Sequence, residues 1–193
     1  IRYAKEIGSV IKLLGVANHT PEGIEVRVHP MLIPEDHPLA SVNDSFNAVF
    51  VHGDAVDDAM FYGRGAGELP TASAVVGDVF DIARNLQYEC CGRISCTCYK
   101  QLPIKAMDDI RSKYFLRMLV ENKPGVLAAV TAVFGDRKVS IEQIIQKKKI
   151  GELAEIVVIT EKVKERHVKD SLKAFEEMEA VKKISSVIRV YGE

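Results

Sequence analysis

No apolar run in the 193 residues approaches the roughly 20 needed to cross a bilayer as a helix. Charge of one sign is missing as well. Lys and Arg number 26 against 27 Asp and Glu, a net of −1, which removes the electrostatic footprint of a nucleic-acid or anionic-membrane binder. No signal-peptide pattern opens the chain, and its first residue is Ile1 rather than Met, so the sequence is expected to be a piece of a longer protein. No Gly-x-Gly-x-x-Gly follows a first strand, so no dinucleotide-binding fold is expected within it. The histidines (His19, His29, His37, His52, His167) form no i, i+4 pair that would make a helical metal face. The cysteines, Cys90, Cys91, Cys96 and Cys98, lie within nine residues. Their spacing lacks the paired C-x2-C knuckles of structural zinc and cannot staple distant segments. The expectation is no metal, and free thiols in a cytoplasmic protein.

What is present suits a globular α+β protein. A hydrophobic share of 47% with 27% charged residues can build a core, and the length allows one large domain or two small ones. Residues 1–86 read as one unit. Tyr3–Ala17 begins helical and turns strand-like at Val10–Val16. The turn cluster Asn18–Gly23 then lets Ile24–Ile33 pair back as a hairpin, with Ile24, Val26 and Val28 alternating against Glu25, Arg27 and His29. Phe46–His52 and Ala55–Tyr62 read as two further strands around Gly53-Asp54. Residues 87–112 have no clear period and read as a cysteine-containing linker. From 113 to 193 the order is strand–helix–strand–strand–helix–strand, the ferredoxin-like split βαβ.

Gly63, Gly65 and Gly67 run straight into a helical spacing of Leu69, Ala72, Val76, Val79, Phe80 and Ala83, with Pro70 in the first turn. Glycines before a helix start let backbone N–H groups approach an anion or cofactor, and the helix dipole adds attraction. A tight packing junction has the same composition. The whole segment, Gly63-Arg-Gly-Ala-Gly-Glu-Leu-Pro-Thr-Ala-Ser-Ala-Val-Val-Gly-Asp78, resembles the C-terminal signature of the homoserine dehydrogenase family. Tyr3–Gly15 and Val28–Ile33 are similar to the same family. The resemblance implies the end of its substrate and dimerisation domain, with NAD(P) held largely by an upstream Rossmann domain. It also implies that the catalytic lysine and aspartate lie upstream. No catalytic residue is carried over, Lys5, Glu6 and Lys12 included, and residues 1–193 alone are expected to be inactive. For the cofactor, Gly67 is carried over first, then Gly65 and Ala66.

The order of elements after residue 113, with Asn122-Lys-Pro-Gly-Val-Leu127 at the first strand–helix turn, resembles an ACT domain, an amino-acid-sensing module. The resemblance implies that Asn122, Gly125, Val126 and Leu127 receive an amino-acid effector, threonine foremost, at a helix N-terminus. Ser140 and Ile141 of a second copy would close the pocket, making the protein a homo-oligomer. Neither a nucleic-acid nor a membrane partner is expected. The same turn also reads as a plain helix cap in a module that only holds subunits together.

Overall fold

The computed structural model describes residues 1–90 and 100–192, and is α+β as expected. It divides into two compact units, one of residues 1–34 with 102–193 and one of residues 35–101.

The first unit is built on one sheet. Helix α1 (Arg2–Glu6) leads into β1 (Ser9–Thr20), which pairs antiparallel with β2 (Gly23–Pro34) through twelve residue pairs, Ser9 opposite Pro34 to Thr20 opposite Gly23. After residue 110 follow β5 (Arg111–Glu121), α3 (Val126–Asp136), β6 (Ile141–Ile150), β7 (Leu153–Thr160), the short β8 (Val163–Lys164), α4 (Glu165–Glu176) and β9 (Val181–Val190). The spatial order is β1-β2-β9-β5-β7-β6. Its β9-β5-β7-β6 part is the fourth-first-third-second arrangement of a split βαβ. The hairpin β1–β2 continues this sheet, because Met31 and Leu32 pair in parallel with Arg189 and Val190. The Tyr191 N–H donates to the Leu32 carbonyl at 2.7 Å.

Strand alternation sorts the side chains onto two faces. Tyr114, Leu116, Met118 and Val120 of β5, with Ala154, Ile156 and Val158 of β7, meet Val130 and Phe134 of α3 and Val168 and Phe175 of α4. The Phe134 and Phe175 rings contact edge-on, 4.9 Å between centroids. Leu116, Phe134, Val158 and Phe175 are entirely buried, and each such side chain contributes about 1.5–3 kcal/mol through burial. The opposite face carries a second cluster, Phe115 and Val157 packed with Tyr3, Ala4 and Leu32. A lone split βαβ leaves that face bare. Here the amino-terminal helix covers part of it, a packing that local periodicity does not encode.

A strap joins the tip of the hairpin to the later chain. The Ile24 N–H donates to the Pro103 carbonyl at 2.8 Å, and the Lys105 N–H donates to the Ile24 carbonyl at 2.9 Å. Gly23 has φ of +133°, and a Cβ there would stand 2.3 Å from the Pro103 carbonyl oxygen, so this close approach requires glycine. Lys105 lies 3.0 Å from both Glu22 and Glu25, and Arg27 lies 3.0 Å from Glu25. Burial pushes the Glu25 carboxyl up, but these cations outweigh it and hold the group below its usual range.

The second unit contains the hairpin β3 (Phe46–Gly53) and β4 (Asp57–Arg64), and helix α2 (Glu68–Gln87). Phe46 and Tyr62 stack at 4.9 Å. Helix α2 buries none of its residues, and Val76, Val79, Phe80, Ile82 and Leu86 are each at least half exposed. Phe61 and Val49 of the hairpin are also exposed. The apolar face written into α2 therefore has no cover among the described residues.

Candidate functional site

Two turns hold the residues singled out by sequence except Ser140 and Ile141, and they lie in different units. The first connects β4 to α2. Gly67 is the N-cap of α2 with φ +133° and ψ 151°, a conformation that disfavours any side chain. A Cβ at Gly67 would meet Pro70 Cδ at 3.2 Å, and the Gly67 carbonyl accepts from the Thr71 N–H at 3.1 Å. Gly65 has a different reason. A Cβ there would overlap the Asn47 side chain, 1.4 Å from Nδ2, and the Gly65 N–H donates to Ser45 at 3.3 Å. Its smallness thus answers to the chain itself. Ala66 between them is exposed. Arg64 donates to Ser45 Oγ at 3.1 Å and lies over the Phe46 ring, 4.9 Å from its centroid. Gly67 therefore opens the N-terminus of a 20-residue helix, whose first N–H groups lack intrahelical acceptors and whose dipole favours an anion. Glu68 is an acid in that first turn.

The second turn connects β5 to α3. The Asn122 N–H donates to the Glu152 carbonyl at 2.9 Å, and its Oδ1 accepts from Gln146 Nε2 at 3.4 Å. Gly125 caps α3 in the left-handed region, φ +86°, with no side-chain cap. Nothing stands within 4 Å of a Cβ placed there. Val126 donates to the Lys123 carbonyl at 3.3 Å, and Leu127 is 42% exposed. The turn is flanked by charge. Glu121 pairs with Lys123 at 2.8 Å and Lys182 at 2.7 Å, hydrogen bonds that hold its carboxyl down to about 2. Ser140 and Ile141 lie elsewhere in the single chain. Ile141 opposes Thr160 at the far end of β7, while Asn122 sits beside Gln146, five residues or about 16 Å along β6. One chain does not bring these two residues to the turn.

No group of three or more His, Cys, Asp or Glu able to hold a metal ion is found among the described residues. Cys90 is exposed, with its thiol 3.5 Å from Asn85 Oδ1. Cys91, Cys96 and Cys98 lie outside the described residues. No described helix is long and apolar enough to cross a membrane.

Sequence reasoning missed a buried polar cluster where β2, β5, α4 and β9 converge. Glu165 opens α4, and both its oxygens lie 2.6 Å from Arg189 Nη2. The Tyr114 hydroxyl donates to the same carboxylate. Burial first, and then that hydrogen bond, push the Tyr114 hydroxyl well above its usual range. His29, 9% exposed, feels the charges of Arg189 and Glu165, and its Nε2 has no hydrogen-bond partner among the described residues. Burial, reinforced by the Arg189 charge, lowers the His29 pKa. An acid at a helix start reads as a solvated dipole partner, so no local signal marks Glu165 as buried.

Comparison with known proteins finds two families on separate stretches of the chain. Residues 1–80 match the family model of homoserine dehydrogenase, and residues 114–180 match that of the ACT domain. The chain is 43% identical over 196 aligned residues to homoserine dehydrogenase of Neisseria gonorrhoeae, covering 98% of this chain and 45% of that protein. Homoserine dehydrogenase of Bacillus subtilis is 39% identical, with 100% and 45% covered. The crystal structure of a homoserine dehydrogenase from Thiobacillus denitrificans superposes with a TM-score of 0.89 at 39% identity, covering 99% of this chain and 44% of that one. The chain thus spans about half the length of the relatives it matches. Its first 80 residues belong to the homoserine dehydrogenase family, and an ACT domain follows them at residues 114–180.

Proposed function

We propose that the chain is the C-terminal part of a homoserine dehydrogenase, an oxidoreductase that interconverts aspartate 4-semialdehyde and homoserine with NAD(P)H on the route to threonine and methionine. The observation that carries this reading is the family match of residues 1–80, a stretch that includes the turn at Gly67. In the whole enzyme the first turn of α2 faces the cofactor, and Gly67, then Gly65 and Ala66, keep side chains out of the approach. The fit is dipolar and steric: a helix N-terminus held open by a residue at φ +133° attracts negative charge without a side chain in the way. Hydride transfer and proton handling belong to residues outside this chain, which has no dehydrogenase activity alone.

The ACT domain senses an amino acid, threonine foremost, at Asn122, Gly125, Val126 and Leu127, with Ser140 and Ile141 supplied by a second copy. The first-turn N–H groups of α3 take the carboxylate, and the Asn122 amide, which both donates and accepts, serves the ammonium and carboxylate together. Feedback then amounts to a coupling of about 1–3 kcal/mol between this site and the active one. The Asn122–Gln146 contact favours a second reading, a module that assembles subunits and senses nothing.

The enzymatic reading is tested with Gly67→Val in the full-length protein, assayed as NADPH-dependent reduction of aspartate 4-semialdehyde. The expected result is a rise of at least tenfold in KM for the cofactor with the fold retained. An unchanged KM would remove Gly67 from the cofactor site.

A further inference from the structure

The turn that leads to Gly67 rests on the start of β3. The strand register sets Phe46 opposite Arg64 and Asn47 opposite Gly63, so the paired ladder ends at Arg64 and the chain leaves it through Gly65, Ala66 and Gly67. Arg64 is well held, donating to Ser45 Oγ at 3.1 Å with its guanidinium over the Phe46 ring. Phe46 in turn stacks on Tyr62. One residue further on the hold weakens. The Gly65 N–H reaches the Ser45 carbonyl at 3.3 Å, longer than the usual distance of about 2.9–3.0 Å.

Asn47 supplies the restraint that remains. A Cβ on Gly65 would stand 1.4 Å from Asn47 Nδ2 and 2.6 Å from Asn47 Cγ, so the amide occupies the place that a side chain would take. Gly65, unlike Gly67, is not among the residues with positive φ. Its backbone therefore does not call for glycine, and the Asn47 amide does. Glycine loses more conformational freedom on ordering than any other residue, so a turn of this composition depends on what is packed against it.

We infer that Asn47 is a positioning residue for the cofactor. Its side chain seats Gly65 and, across the single residue Ala66, fixes where Gly67 presents the first-turn N–H groups of α2. The inference rests on the reading of that turn as cofactor-facing, and it changes the part of Gly65, which is small to admit Asn47 rather than the cofactor. Donors held in place before binding cost least to order. Loosening the seat therefore weakens cofactor binding and leaves the chemical step, which that reading assigns to residues outside this chain, as it was.

The test is steady-state kinetics of the full-length protein, with NADPH varied at saturating aspartate 4-semialdehyde, for Asn47→Ala, Gly65→Ala and the two combined. Asn47 is exposed, so each variant should melt as the parent does. Each single substitution should raise KM for NADPH roughly threefold or more, with kcat within about twofold of the parent. Asn47→Ala empties the seat, and Gly65→Ala drives the amide out of it. Combined, they should raise KM no further than the larger single effect, because both remove the same contact. An unchanged KM for Asn47→Ala overturns the inference, as does a rise that comes only with a lowered melting temperature. Effects that multiply in the double variant overturn it too, since Gly65 would then meet the cofactor itself. Gly67→Val tells this failure from that of the wider reading: a raised KM there keeps the turn in the cofactor site and removes Asn47 alone.

Discussion

Replacing Glu165 with alanine should strongly destabilise the sheet-bearing unit. The side chain is 10% exposed and that of Arg189 is 19% exposed. In the native chain one carboxylate takes Arg189 Nη2 on both oxygens, Arg189 Nε at 3.2 Å, and the Tyr114 hydroxyl. Removing it leaves a largely buried guanidinium and a buried phenol without their acceptor. Breaking a buried pair from one side costs about 3–5 kcal/mol, against 0–1 kcal/mol for a pair in water. The consequence reaches the sheet, because Arg189 is the residue of β9 paired with Met31 of β2. Urea unfolding followed by circular dichroism should show the full loss, with a fall in Tm on the order of 10 °C. The double substitution Glu165→Leu with Arg189→Met should recover most of it, since an apolar pair leaves no stranded charge. A loss below about 1 kcal/mol for Glu165→Ala would mean that water reaches the pair, and the reasoning fails.

Two more consequences follow from neighbouring residues. The lowered His29 pKa means that the unfolded chain binds a proton more readily than the folded one, so stability should fall as pH drops below about 6.5. His29→Gln should flatten the slope of urea midpoint between pH 7.5 and 5.5, and parallel slopes would exclude His29 as its source. Gly23→Ala should cost roughly 1–3 kcal/mol through backbone strain alone, with the Pro103 carbonyl forced away besides. Hydrogen exchange at the Ile24 and Lys105 amides should accelerate, and unaltered protection would show that the strap tolerates a methyl group.

Local pattern carried most of the elements. Alternation in Tyr114–Glu121 and Ala154–Thr160, and the 3.6-residue spacing of Val126–Phe134, appear in β5, β7 and α3. The turn signals at Asn18–Gly23, Gly53-Asp54 and Gly151 fall where the chain reverses. Contacts between distant segments were not legible. Only Met31 and Leu32 pair with Arg189 and Val190, and a two-residue parallel register leaves no periodic trace. The cover of Phe115 and Val157 by Tyr3 and Ala4 is equally silent, because each residue reads locally as ordinary apolar content. Candidate sites divide along the same line. Gly67 and Gly125 announced themselves through turn chemistry and have positive φ. Gly65 has the same composition as its neighbours, yet the Asn47 side chain explains it. The apolar stripe of α2 was readable but its exposure was not, since a stripe states what must be covered and not where the cover comes from.

The effector claim is tested most directly by titrating the chain calorimetrically with threonine, with methionine, isoleucine, lysine and homoserine as controls. Saturable threonine binding that Asn122→Ala abolishes is the predicted result. Flat titrations with all five amino acids, from a well-folded protein, would contradict sensing and leave the ACT domain with assembly alone.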